Sequence, residues 1–229
     1  SLKLVTMMMK YISQGKQVNI IAIRENQQYL RDSVYNQILW AMSILGVESE
    51  FRTRVSPMII QHIRTGSTFY FYGANDPMKL KSNIVGNVVA VWFEEFANLK
   101  NVDVFDQSVP TFIRQKPNFT DQVKIYISYN PPRNPYAWVN EWVTQREVDD
   151  DYFIDSSTYL DDELGFTTKQ QLKLINQYKK NDHKNFIQFK SGKVTIENNK
   201  TKTKIDTNGD ITIETEGKYT IKNNSTDLK

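Results

Sequence analysis

Val88-Val89-Ala90-Val91-Trp92-Phe93-Glu94-Glu95 is a run of six apolar residues that ends in two acids. A run this short and this apolar, rich in β-branched side chains, fits a strand buried on both faces. Two other runs read the same way, Val18 to Ile23 and Val123 to Tyr129. Around them, apolar residues recur at helical spacing: Leu2, Val5, Met9 and Ile12, then Leu30, Val34, Ile38, Ala41 and Leu45. Val102, Phe105, Val109 and Phe112 form another stripe, and Trp138, Val139, Trp142 and Val143 suggest one more helix. Residues 58–63 and 68–72 flank Arg64-Thr65-Gly66-Ser67 and read as a hairpin, residues 152–157 as a strand and 167–180 as a helix. Strands alternating with helices predict an α/β fold, a mostly parallel sheet flanked by helices on both faces. The three apolar runs are predicted to be its adjacent central strands.

Composition narrows the chemistry. The chain has 229 residues, 39% of them hydrophobic and 24% charged, which is ordinary for a globular protein. It has no cysteine, which excludes disulfides, thiolate metal sites and cysteine nucleophiles. His62 and His183 are the two histidines, too few and too far apart for a histidine-rich zinc site. No apolar run approaches the roughly 18 residues of a membrane span, and the first residues read as no signal peptide. A cytosolic location with no membrane partner is expected.

Ligands of open α/β sheets sit at the carboxyl ends of the strands. Two unusual stretches occupy such ends, Glu94-Glu95 and Asn130-Pro131-Pro132. A hydrophobic strand ending in two acids is the Walker B pattern of nucleoside triphosphatases. One carboxylate, Glu94, would hold a Mg²⁺ that bridges phosphates, and the next, Glu95, would orient the attacking water. Such a pair also opens many solvated loops, so the motif taken alone does not decide. The usual companion, G-x-x-x-x-G-K-[ST], occurs nowhere in the sequence; Ser13-Gln14-Gly15-Lys16 and Ser191-Gly192-Lys193 both fail it. The chain reads as starting just after a phosphate-binding turn.

Residues 1 to about 182 resemble the ATPase domain of the large subunit of tailed-bacteriophage terminases, as found in prophages of Gram-positive bacteria. Ile23-Arg24 followed by Leu30-Arg31-Asp32-Ser33-Val34-Tyr35 carries part of the likeness. Phe71-Tyr72-Gly73-Ala74-Asn75-Asp76-Pro77-Met78-Lys79-Leu80-Lys81, Val91 to Glu95 and Ser128-Tyr129-Asn130-Pro131-Pro132 carry the rest. The resemblance implies a P-loop-NTPase-like sheet, ATP and Mg²⁺ as cofactors, and translocation of double-stranded DNA into the procapsid. It implies the portal protein and the terminase small subunit as partners, and the host bacterial cytoplasm as the place of action. Glu94, Glu95 and Asn130 take the catalytic roles, with Glu94 on the metal through water. Asn130 would sense the γ-phosphate. Arg24 and Ser128 take nucleotide-binding roles, although Arg24 and Arg31 read equally well as surface pairing residues. Lys79, Lys81 and Arg64 read as a solvated face more than as DNA contacts, and Asp149-Asp150-Asp151 as an exposed loop. The family's nuclease domain finds no room here. With neither it nor the phosphate loop, catalysis is expected to be impaired.

The charge excess sits at the end of the chain. Residues 1–183 hold 20 basic and 20 acidic residues, whereas 184–229 hold 9 and 6. Two domains are expected, 1–183 and a β-rich repeat tail over 184–229. Lys193 to Ile196, Lys204 to Asp206, Asp210 to Ile213 and Lys218 to Ile221 read as short strands separated by Asn and Gly. They are weakly similar to the β-repeats of phage baseplate spikes, and an independent β-meander fits them as well. A competing reading is a non-catalytic phage structural or assembly protein that self-associates, as a homo-oligomer, through this tail. A generic helicase-like ATPase would explain Glu94-Glu95 but not the Asn-Pro-Pro element.

Overall fold

The computed structural model describes residues 1–75, 80, 84–132, 134, 136–162, 165, 167–182, 185–190, 193–198, 201–205 and 211–215. They fall into two compact units, Ser1–Ile154 and Asp155–Lys229. The boundary expected at 183/184 falls inside the second.

The first unit is an α/β layer structure. Its strands are β1 (Asn19–Arg24), β2 (Phe51–Val55), β3 (Met58–His62), β4 (Thr68–Gly73), β5 (Val88–Glu94) and β6 (Lys124–Ser128). They form one sheet in the order β2-β3-β4-β1-β5-β6. The pairs β4/β1, β1/β5 and β5/β6 are parallel, while β2/β3 and β3/β4 are antiparallel. The sheet is therefore mostly parallel, with an antiparallel extension that the sequence showed only in part: β2 was not anticipated. Its sequence FRTRV has one buried residue, Phe51, and four exposed ones, so its apolar signal is faint.

Helices cover both faces. On one side α1 (Leu2–Ser13) and α2 (Asn36–Leu45) bury Leu4, Val5, Met8 and Ile12, and Ile38, Ala41 and Met42. These pack on Ile20 and Ala22 of β1. On the other side α3 (Val102–Ile113) and α4 (Trp138–Thr144) bring Phe105, Phe112, Val139 and Trp142 against Ile21 and Ile23. Alternate residues of β1 thus serve opposite cores, which explains its uninterrupted apolar character. Every residue of β5 is buried, Glu94 included. Each buried Val or Phe there contributes about 1.5–3 kcal/mol relative to exposure. Trp142 packs edge-on against Phe105, as expected of core and not of a base-stacking platform.

The second predicted helix has a wide π-helical turn at Arg31–Tyr35 before α2 proper. It stops at Gly46, whose φ of 67° only glycine takes without strain, and Val47 N–H bonds back to Met42 O at 3.0 Å. Asn19, buried at the amino end of β1, is fully engaged. Its Oδ1 accepts from Thr68 N–H at 3.0 Å and its Nδ2 donates to Gly86 O at 2.9 Å.

Two expectations are corrected. The run Val123 to Tyr129 forms β6, which does neighbour β5 but is the outermost described strand, with Lys124 and Ser128 exposed. Its polar residues fall at every second position, the pattern of a strand with one drier face, so it is not central. Residues 152–157 form no strand: Phe153 is 91% exposed, and nothing pairs with this segment among the described residues. Asp149, Asp150 and Asp151 are exposed, as read.

The second unit contains α5 (Lys169–Asp182) and an antiparallel sheet in the order β10-β9-β8-β7. Its strands are β7 (Asn185–Lys190), β8 (Lys193–Asn198), β9 (Thr201–Ile205) and β10 (Ile211–Thr215). Consecutive neighbours make this a simple meander, and β7 extends it beyond the strands that the sequence suggested. The segment Lys218 to Ile221 lies outside the described residues. No helix among the described residues is long and apolar enough to cross a membrane.

Candidate active site at the carboxyl rim of the sheet

Three parallel strands end together. Ile23 of β1 is level with Phe93 of β5, and Glu94 of β5 is level with Ser128 of β6. The parallel register thereby gathers Arg24, Glu94 and Ser128 at one rim, although they are far apart in the chain. Glu95 follows directly, and Asn130 lies two residues beyond Ser128.

Glu94 is buried, at 9% exposure. Its Oε2 lies 3.1 Å from Arg24 Nε. That approach is off the line of a hydrogen bond, so this buried oxygen keeps a free lone pair. Burial pushes the Glu94 carboxyl above its ordinary range, and the neighbouring Glu95 adds to this. The Arg24 guanidinium and a hydrogen bond from Gln37 pull the other way. Arg24 also stands over the Tyr29 ring, 5.8 Å from its centre. It is therefore engaged by Glu94 and Tyr29, and the nucleotide-binding role expected of it would require it to leave them.

Glu95 is held differently. Its backbone takes the left-handed conformation, φ 53°, uncommon outside glycine. That kink turns the chain out of β5 into a short 3₁₀ turn, Phe96–Asn98, whose Phe96 is wholly buried. Phe96 packs against Phe93, Phe105, Trp138 and Trp142, so the aromatic core beneath the rim fixes the turn. The Glu95 carboxylate accepts a long bond from Asn98 Nδ2 at 3.4 Å.

Ser128 accepts a hydrogen bond from Trp92 Nε1 at 2.9 Å, which ties β6 to β5 just below the acids. Asn130 is exposed. Arg31 is exposed and Lys79 and Lys81 lie outside the described residues. Sequence reading missed Glu25 and Gln37, which carry no motif. Glu25 Oε2 is buried at the same rim with no partner among the described groups. Gly73 closes the neighbouring strand end, where a side chain would meet Gln27 N and Cβ at 2.8 Å.

Among the described residues no three acidic or histidine side chains converge to hold a metal by themselves. A cation beside Glu94 would have to draw its remaining ligands from water and from phosphate oxygens, which is how Mg²⁺ commonly binds in nucleotide sites. The buried Oε2 of Glu94, beside Arg24 but without a hydrogen bond among the described residues, fits such a role. A cavity of about 480 Å³ lies elsewhere, against Lys169, Leu172, Lys173, Asn176 and Gln177 of α5, and holds none of these residues.

Comparison with known proteins extends this reading. The family model of the phage terminase large subunit matches residues 1–193. The large terminase subunit of Bacillus phage SPP1 is 29% identical over 148 residues, covering 62% of this chain and 34% of that protein. Among solved structures, a large terminase from a thermophilic bacteriophage superposes with a TM-score of 0.53 at 18% identity, covering 70% of this chain and 37% of the other. A second crystal form of the large terminase from that thermophilic phage, in complex with ADP, gives a TM-score of 0.51 at 13% identity, covering 87% and 56%. At these identities the two superpositions speak for the fold alone. The chain spans about a third of the length of the first relatives it matches. With the family model matched over most of its length, the chain belongs to the phage terminase large subunit family.

Proposed function

We propose that residues 1–154 form the acidic half of the ATP site of a DNA-packaging motor, the part that holds Mg²⁺ and aims water at the γ-phosphate. The observation that carries this reading is Glu94. It is a buried carboxylate at the carboxyl rim of a mostly parallel sheet, with one oxygen beside Arg24 that accepts no hydrogen bond among the described residues, and with a second acid next to it. Bound Mg²⁺ would supply positive charge between the β- and γ-phosphates. Glu94 would hold that charge through water; burial raises its carboxyl above the ordinary range, and the Arg24 guanidinium partly offsets this in favour of the charged form. Glu95, set off the strand by its left-handed turn, orients the attacking water. Asn130 reads the γ-phosphate and passes its loss to the Pro131-Pro132 turn, and Ser128, bonded to Trp92, serves nucleotide binding. Double-stranded DNA is the proposed track, with the portal protein and the terminase small subunit as proposed partners.

Residues 1–229 contain no G-x-x-x-x-G-K-[ST] run to cradle phosphates. Losing one preorganised donor costs about 3 kcal/mol in the barrier, and losing a whole cradle costs more. The 229-residue chain by itself is thus proposed to bind nucleotide weakly and to turn it over slowly. The test is Mg²⁺-dependent binding of a fluorescent ATP analogue together with phosphate release, with and without duplex DNA, for the chain and for Glu94→Gln and Glu95→Gln. Weak binding that Glu94→Gln weakens further is the expected result. Rapid turnover abolished by Glu95→Gln would overturn the impairment while keeping the site. Binding indifferent to both substitutions would remove the site.

A further inference from the structure

The antiparallel extension of the sheet carries two exposed arginines on one face, next to tyrosines that pack on the Ile21/Ile23 core. Register sets the two sides. Phe51 and Ile60 of β2 and β3 continue the buried row of Phe69 and Phe71 on β4, which packs into the α1/α2 core. On the opposite face Arg52 pairs with Gln61, which pairs with Thr68, and Arg54 pairs with Ile59, which pairs with Tyr70. Along that face Arg52 and Arg54 are exposed, while Ile59, Gln61, Tyr70 and Tyr72 are half-buried. The Tyr70 and Tyr72 rings lie nearly parallel, 6.3 Å apart and 9° from coplanar.

Residues 51–75 contain Arg52, Arg54 and Arg64 and no acid, while Glu48 and Glu50 directly precede β2 and Asp76 follows. The Glu50 carboxylate is taken up by His62 of β3, at 3.3 Å. Neither Arg52 nor Arg54 has an ion-pair partner among the described residues. Two positions apart on a strand, their Cα atoms are separated by about 6.8 Å and their side chains leave the same side.

We propose that this face, with Arg52 and Arg54 as its cations, docks on the phosphate backbone of double-stranded DNA. The proposal rests on the packaging reading above and names the surface that would touch the track. Two exposed arginines on one side of a strand, neither engaged by an acid among the described residues, suit phosphates, which guanidinium forks bind at two points, and tyrosine hydroxyls are common additional donors to phosphate. A protein partner suits it less, because the buried centre of a protein interface is poor in charge and built around apolar anchors. Charge on an outer strand such as β2 also discourages edge-to-edge pairing of sheets, but that role leaves DNA affinity untouched.

The experiment is anisotropy of a labelled random-sequence duplex titrated with the 229-residue chain across a salt series. Arg52→Gln/Arg54→Gln is expected to weaken binding on the order of tenfold at low salt and to lower the slope of log K against log salt by about 2. Arg52→Lys/Arg54→Lys should keep the slope. Lys10→Gln/Arg114→Gln, which removes the same charge from exposed positions on other elements, should leave affinity and slope unchanged. Thermal melting of each variant checks that the fold is intact. An unaltered slope in the double Gln variant overturns the surface, as does an equal loss in the control pair. A change in sedimentation without a change in slope overturns it in favour of an interface between copies. No duplex binding by the unsubstituted chain overturns this proposal and the DNA track together, whereas Glu94-dependent nucleotide binding would still stand.

Discussion

Arg24 Nε stands 3.1 Å from Glu94 Oε2, across neighbouring parallel strands whose last residues end at the same level. The pair decides the electrostatics of the rim. Burial alone would favour a neutral Glu94, and Glu95 pushes the same way, while Arg24 and Gln37 favour the charged form. Desolvation is the largest of these influences, so the carboxyl remains above its ordinary range.

That imbalance has a sign that melting curves read. A carboxyl raised in the folded state keeps its proton to higher pH than the unfolded chain does. Folding stability is then lost as pH rises from the ordinary carboxylate range through the raised value. In Glu94→Gln this pH dependence is gone. The melting temperature of Glu94→Gln minus that of the parent should therefore shrink as pH falls from 8 towards 4.5, because the parent gains on acidification. A difference that grows on acidification would mean that Arg24 outweighs burial.

Glu95 holds a backbone conformation that costs a non-glycine residue about 1 kcal/mol. Glu95→Gly should stabilise the protein by about 0.5–1 kcal/mol, a rise of roughly 2–4 °C in melting temperature at the upper end. Glu95→Ala should bring no such gain, since alanine pays the same backbone cost. Differential scanning calorimetry of the three proteins measures this. Equal melting temperatures for the Gly and Ala variants would show that the turn is not strained.

The Trp92–Ser128 bond joins the strand of the acids to the strand that leads to Asn130. Trp92 is 5% exposed, so its indole N–H depends on this acceptor. Ser128→Ala should cost about 1 kcal/mol in urea unfolding. Trp92→Phe/Ser128→Ala should cost less than the sum of the single changes, since the second removal finds no bond to break. Additive losses in the cycle would mean that the bond contributes nothing.

Much of the fold was legible because periodicity survives in sequence. The unbroken apolar run of β5 reports burial on both faces, and the stripes of α1, α3 and α4 report one core-facing side each. The extension β2 was not legible, since four of its five side chains are exposed. Residues 152–157 misled for the opposite reason. Tyr152, Phe153 and Ile154 have the composition of a strand, yet no partner strand stands beside them among the described residues.

The site divides along the same line. Glu94, Glu95, Ser128 and Asn130 could be picked out because residue types at strand ends carry chemical meaning within a few positions. By itself, then, the sequence determined the α/β class, the central strands β1 and β5 and the acids at the rim. Only the tertiary structure decided that Glu94 is buried against Arg24, that Gln37 supports it, and that, among the described residues, Glu25 Oε2 lacks a partner nearby and β6 and β2 are the outermost strands of their sheet. Those facts depend on which distant elements stand side by side, and desolvation and pairing arise from that juxtaposition, which no local pattern of residues encodes.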